Sequence, residues 1–420
     1  MSGRVVAEMA KTPEELYAER KKRVLDAAAL KVPDRVPIYI PFGVMGARYA
    51  GITIQEAFED MGKWQDINEK LFLEYEPDFF FYLKSFDMVS NEMAGSRYVN
   101  WPGHGVGANG SYQFVEGEYM KAEEYDELLN DTGDFILRKY LPRIYGNLGG
   151  LSYMLPLMSL LSYGGLFIAF ANPAVVAAFE TIIKASKQSA QNFMSMLAFG
   201  TRMEALGFPL LVGLGGGQAP FDVISDYLRG LRGSTLDMYR CPDKLLAAEQ
   251  KILSFINSSS IALSRMMNKP LSFSATHRGS DGFMSLKQFE TFYWPGLKAS
   301  MLAAIEAGIT PFMFWEGSWD QRLEYLTELP KGKVVGWFDR TDIFRAKEVL
   351  GDRMCICGGM PISLLQVGTP EEIKAYTKKL IDVVGKDGGF IMCANTELDY
   401  AKPELVKAWV DFTREYGVYQ

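Results

Sequence analysis

The sequence predicts an α/β protein, a TIM (β/α)8 barrel with helical and loop insertions in its N-terminal half. Three observations carry that expectation. From residue 271 onward, five short apolar runs alternate with helical stretches. Each run is apolar throughout and not at every second position, as strands covered on both faces must be. Three earlier runs of the same kind raise the count to eight, the number that closes a parallel sheet on itself.

Taken in order, residues 13–30 have helical spacing and stop before Pro33, after which VPIYIPF (36–42) reads as the first buried strand. A helical run over 54–75 leads to the aromatic strand DFFFYL (78–83). Residues 97–120, rich in glycine and aromatics, depart from the rhythm as loop and hairpin, and helices dominate from 122 to 205. FPLLVGLGGG (208–217) is a strand running into a glycine loop, followed by a helix over 242–268. LSFSATH (271–277), TPFMFWEG (310–317), KVVGWFD (333–339), MCICGG (354–359) and GGFIMCA (388–394) complete the set, each with a helix behind it. One domain over 1–420, with 97–205 as its insertion- and cap-rich region, accommodates the length.

Composition narrows the function. A net charge of −7 with no Lys/Arg block excludes a phosphate-backbone partner, because nucleic-acid affinity rests on clustered cations. Four cysteines in a chain of this size, with no apolar leader, point to a reducing cytoplasm. Two histidines, His104 and His277, exclude any mechanism that needs several imidazoles. From Ile144 to Phe179 no residue is charged. Pro156, Pro173 and paired glycines argue against a membrane span there, leaving a buried segment, an apolar lid over substrate, or contact with a membrane surface.

In a barrel the reacting groups lie on the loops after the strands. Those positions hold His277 with Arg278 and Asp281, then Glu316, then Asp339 with Arg340 and Asp342, then Cys355 and Cys357, then Cys393, Asn395 and Glu397. His277, Asp339, Arg278 and Asp281 are the expected catalytic groups. His277, Glu316, Cys357 and Cys393 combine imidazole, carboxylate and thiol, the donor types of a catalytic zinc. In the CxC pair, Cys357 is placed at the rim and Cys355 in the barrel core. Trp315, Trp319, Arg340, Phe42 and Tyr82 are the expected substrate-binding residues, the aromatics because flat rings add stacking to burial. GLGGG (213–217) lacks the order of a nucleotide loop and is expected to let the backbone approach a flat ligand. Asp222 and Asp226 are open between helix caps and catalytic carboxylates.

At RVPIYIPFG (35–43), YQFVEGEYMKAEEYDELL (112–129), APFDVISDYLRG (219–230), HRGSDGFMSLKQFETFYWP (277–295), FMFWEG (312–317), FDRTD (338–342) and GGMPISLLQVGTPEEI (358–373) the chain resembles the uroporphyrinogen decarboxylase superfamily. That superfamily includes corrinoid-dependent methyltransferases. The porphyrin-pathway decarboxylases carry an RQAGR loop after the first strand to hold substrate carboxylates, whereas here FGVMGARYAG offers only Arg48. In the methyltransferase branch an HxC pair and a late Cys hold zinc; the resemblance places Phe314 and Glu316 at the pair and Asn395 at the late Cys. His277 is then the substitute imidazole, and the chain is more similar to O-demethylase methyltransferases acting on methoxylated substrates.

The implied function is transfer of a methyl group from a methoxylated aromatic compound to a separate corrinoid-binding protein, with zinc bound here and the cobalamin bound there. No DxHxxG motif for holding a corrinoid appears in the chain. Two other readings stay open. One is a metal-free decarboxylase or lyase on an aromatic acid, with His277 and Asp339 as acid and base and Arg278 or Arg340 clamping the carboxylate. The other is a non-catalytic, membrane-associated binding protein using 144–179. A homodimer is the oligomeric form left open.

Overall fold

A computed structural model of the chain describes residues 11–81 and 87–420. Its strands, in chain order, are β1 (Phe80–Phe81), β2 (Val99–Pro102), β3 (Gly105–Val106), β4 (Gln113–Phe114), β5 (Leu210–Leu214), β6 (Leu271–Thr276), β7 (Thr310–Trp315), β8 (Val335–Phe338), β9 (Cys355–Met360) and β10 (Phe390–Ala394). Seven of them form one parallel sheet in the order β1-β5-β6-β7-β8-β9-β10. The run at 36–42 closes it: Ile38 bridges Met392 of β10 and Tyr39 bridges Phe79 beside β1, both parallel. Tyr39 N donates to Met392 O and Asp78 N to Ile38 O, each at 2.9 Å. The barrel expected from sequence is therefore present, with its first strand reduced to two bridging residues.

Closure is anchored at the N-terminal end of the strands by a buried carboxylate. Asp78 accepts from Arg23 Nη1 at 2.6 Å, from both terminal nitrogens of Arg35 at 2.8 Å, and from Ile38 N at 2.7 Å. Arg23 arrives on the helix Pro13–Ala28, which starts with a capping box between Thr12 and Glu15. The GTPEE motif is the same device. Thr369 and Glu372 cap each other's backbone N–H at the head of helix Pro370–Val383.

Side chains alternate in and out along each strand. Tyr39, Phe79, Val212, Leu271, Phe312, Val335, Trp337, Cys355, Cys357, Ile391 and Cys393 fill the barrel interior. The other parity, with Met313, Trp315, Phe338, Ile356 and Met392, packs outward against the helical ring. Each large side chain so buried contributes about 1.5–3 kcal/mol.

Three local expectations are corrected. The helical run 54–75 is two helices, Ile54–Glu59 and Met61–Tyr75, because Asp60 caps the second through Lys63 N. The GLGGG glycines admit no ligand: a Cβ on Gly216 would lie 1.9 Å from Ser272 O and one on Gly215 2.5 Å from Ser260 O. They let the chain press against its own neighbouring strand and helix. The uncharged stretch is not buried as a whole. Leu148, Leu151 and Met154 pack on Val175 and Ala178, while Met158, Leu161, Tyr163 and Phe167 face outward. Among the described residues no helix is long and apolar enough to cross a membrane.

Between β1 and β5 the chain makes its excursion. The small sheet β3-β2-β4 and several short helices lead into the long helix Pro173–Ala205. The loop after β4 returns to the barrel rim, where Glu116 lies 3.6 Å from Arg278 and Arg229 donates to Met120 O and pairs with Glu118.

Candidate active site

Register and parity decide which strand ends meet. On β6, Leu271 and Phe273 point inward, so His277 does too. On β7, Phe312 and Phe314 share the inward parity with Glu316, and on β8 Val335 and Trp337 share it with Asp339. Because Thr276 pairs with Trp315 and Trp315 with Phe338, the three residues that follow those strands are register neighbours on one rim. His277 Nε2 lies 4.0 Å from Glu316 Oε2. Asp339 stands beside them, its Oδ2 accepting from Gly317 N at 3.0 Å.

The helical segment behind β5 supplies the partners of the histidine. Asp226 sits in the π-helical turn Ile224–Arg229, a distortion often found at functional sites, and its Oδ2 accepts a short hydrogen bond from His277 Nδ1. Asp222, one turn earlier and fully buried, accepts from His277 N at 3.0 Å, Arg278 N at 2.9 Å and the Tyr293 hydroxyl at 2.6 Å. Arg278 donates to Ser225 Oγ at 3.0 Å and lies 3.1 Å from Asp226 Oδ1.

Electrostatics follow from that packing. Burial alone would push the imidazole of His277 down, but the Asp226 hydrogen bond and the charges of Asp222, Asp226 and Glu316 outweigh it and raise the pKa to about 9. His277 is thus an imidazolium at neutral pH, with 38% of its side chain still open to the barrel mouth. Burial raises Asp222 to about 6 and also raises Glu316 and Asp339. An acid of this kind, held at Nδ1 and with Nε2 on the Glu316 side of the rim, can deliver a proton to a leaving group.

Aromatic surface lies below. Phe81, Phe273 and Phe314 are partly exposed on the inner parity; Phe81 stacks on Phe273 at 5.0 Å and Phe314 meets Trp337 at 4.4 Å.

Residues 172–416 match the uroporphyrinogen decarboxylase (URO-D) family. The chain belongs to that family. Among solved structures, this URO-D member is similar to a methyltransferase from Methanosarcina mazei, at 15% identity and a TM-score of 0.60 over 94% of this chain and 98% of that one. A B12-independent methionine synthase from Shewanella sp. W3-18-1, solved with selenomethionine, shares 10% identity and a TM-score of 0.32 over 48% and 59% of the two chains, too slight a likeness to carry an argument. No curated protein matches.

A zinc site needs three protein donors on one point. His277 and Glu316 provide two, and the two thiols expected beside them are elsewhere. Cys357 and Cys393 are fully buried in the barrel interior, where each is the other's polar neighbour and burial pushes both thiols up. Among the described residues no three His, Cys, Asp or Glu side chains converge on a point. The set Glu316, His277, Cys357 and Cys393 does not fit a zinc ion, and Cys357 joins Cys355 in the core.

Other expectations divide. Asp281 is not directed at the mouth: it pairs with the buried Arg322 and accepts from Ser318 Oγ and Gln321 N, pinning two loops together. Trp315 and Trp319 are fully buried on the outward parity, 4.6 Å apart, and Trp319 Nε1 donates to Glu316 O. They brace the strand that carries Glu316 and are shut off from the inward face. Phe42 is likewise buried, against Phe72 and Tyr75. Tyr82 lies outside the described residues. Arg340 is at the rim, 81% exposed and 3.9 Å from Asp339. Asp226, which the sequence leaves open between helix cap and catalytic carboxylate, partners the histidine, and strand parity singles out Phe81, Phe273 and Phe314 as the inward aromatics.

Proposed function

We propose that this chain is a methyltransferase that binds a methoxylated aromatic compound at the barrel mouth and passes its methyl group to a corrinoid carried by a separate protein. The observation that carries the reading is His277, protonated and held between Asp226 and Glu316 above an aromatic surface. The fold likeness to the Methanosarcina mazei methyltransferase points the same way. Porphyrinogen decarboxylation is disfavoured, since Arg48, the cation available in the loop after the first strand, stacks on Tyr400 at 4.1 Å.

In this mechanism the substrate ring rests on Phe81, Phe273 and Phe314, and its ether oxygen meets His277 Nε2. A reduced corrinoid on the partner protein would supply the nucleophile and the electron pair for the new bond to the methyl carbon. As the methyl–oxygen bond breaks, its electron pair stays on oxygen and His277 Nε2 delivers the proton that makes the product a phenol. Asp226 holds the ring and stabilises its charge beforehand. Glu316 and Asp339, both raised by burial, admit a proton back to His277 from solvent.

A set of methoxybenzoic acids incubated with the protein and cob(I)alamin tests this. Release of the matching hydroxybenzoic acid, equimolar with methylcobalamin, is expected. Release of carbon dioxide with the methoxy group intact would instead establish a decarboxylase.

A further inference from the structure

We infer that Tyr39 and Glu397 form the far end of the substrate site, a polar subsite that selects a hydrogen-bond donor on the ring, a hydroxyl or a protonated amine, and rejects a carboxylate. This deepens the reading above and rests on it, since the ring must lie across the barrel mouth with its ether oxygen at His277.

Topology sets the two ends apart. In the order β1-β5-β6-β7-β8-β9-β10, closed by residues 38–39, β6 and β10 are four strands apart in either direction. His277 follows β6 and Glu397 follows β10, so the two stand across the mouth from one another. Aromatic surface joins them. Tyr39 stacks on Phe79 at 5.0 Å and lies 6.1 Å from Phe81, which stacks in turn on Phe273 of β6. A flat ligand on that surface with its ether at His277 turns its other edge toward Tyr39 and Glu397.

Both polar groups at that edge lack partners. Tyr39 is 2% exposed, yet among the described residues its hydroxyl makes no hydrogen bond, whereas buried hydroxyls are normally paired. Burial, and after it the neighbouring Cys393, Glu397 and Cys357, hold that phenol well above its ordinary value, so it keeps its proton as a donor. Glu397 likewise has neither hydrogen bond nor ion pair among the described residues. It is pressed against the loop after the first strand: a Cβ on Gly43, at φ +53°, would lie 2.9 Å from Glu397 Cβ. Asp399 is anchored beside it, accepting from Val44 N at 2.9 Å, while Arg48 of the same loop lies over the Tyr400 ring. Desolvation, then Asp399, raise Glu397 to about 7 even though solvent reaches its side chain, the condition of a carboxylate set low in an open mouth.

Charge decides what fits. Glu397 and Asp399 side by side, with no cation paired to Glu397, repel a third carboxylate. A ring hydroxyl donates to Glu397 and accepts from Tyr39; a protonated amine donates to Glu397 with charge to assist it. A carboxylate is accommodated elsewhere on the ring, where the exposed Arg340 can meet it.

Calorimetric titration of the full chain at about pH 8, without corrinoid, tests the subsite. 4-Methoxyphenol and 4-methoxybenzylamine should each bind about tenfold or more tightly than 4-methoxybenzoate and methoxybenzene. Glu397→Gln should weaken the amine about tenfold and tighten the benzoate. Tyr39→Phe, which removes one oxygen from the core, should weaken the phenol and leave the amine unchanged. Equal affinities for the four ligands, a preference for the benzoate, or affinities indifferent to both substitutions would overturn the inference. A phenol that binds as expected but yields no methylcobalamin with cob(I)alamin would count against the methyltransferase reading and leave the subsite standing.

Discussion

The His277→Gln protein is expected to transfer methyl groups about 10³-fold more slowly than the wild type, the middle of the range for loss of a general acid. Glutamine keeps an N–H for Asp226 but has no proton to give, so the effect should fall on kcat and leave KM nearly unchanged. The wild-type rate should decline as pH rises through about 9, where His277 loses its proton, and the variant should lack that limb. Stability follows the same sign. The folded-state value lies above the ordinary 6.5, so the histidine's contribution is complete below 6.5 and is lost as pH rises through about 9. Kinetics with a methoxybenzoate and cob(I)alamin measure the first effect; a loss under tenfold would remove His277 from the proton-donor role.

The Asp78→Ala protein is expected to be less stable by about 3–5 kcal/mol, the cost of stripping one partner from a buried ion pair. Asp78 is fully buried, and its removal takes the carboxylate from Arg23 Nη1 and from both terminal nitrogens of Arg35 and leaves Ile38 N unpaired, while Asp34 still holds Arg23. Those groups belong to the first helix, the loop after it and the two-residue strand that closes the barrel. Urea unfolding should therefore show a lower midpoint, with protection lost first around Ile38–Tyr39. A change under 1 kcal/mol would mean that closure depends on the Met392 and Phe79 bridges alone.

Much of this architecture was readable beforehand. Eight apolar runs marked the barrel, and the placing of reactive groups after strands brought His277, Glu316 and Asp339 to one rim. Parity refines that placement: counting from the inward Phe312 and Phe314 selects Glu316 and rejects Trp315, and counting from Leu271 and Phe273 selects His277. Depth and partners were a different matter. Cys357 and Cys393 have the right parity, but how far each lies below the mouth depends on strand tilt, which no spacing encodes. Asp281 looked catalytic until Arg322, distant in sequence, claimed it. Asp226 owes its place to a π-helical turn that lacks a periodic signature.

The protonation of His277 is the point on which the proposed chemistry turns, and the chain holds only one other histidine, His104. In a His104→Gln protein the ring-carbon NMR signal reports His277 alone, and its titration midpoint can be read without assignment. A midpoint near 9 is expected from the Asp226 contact. A midpoint at or below 6.5 would mean a neutral imidazole at working pH, and the proton for the departing oxygen would have to come from another group.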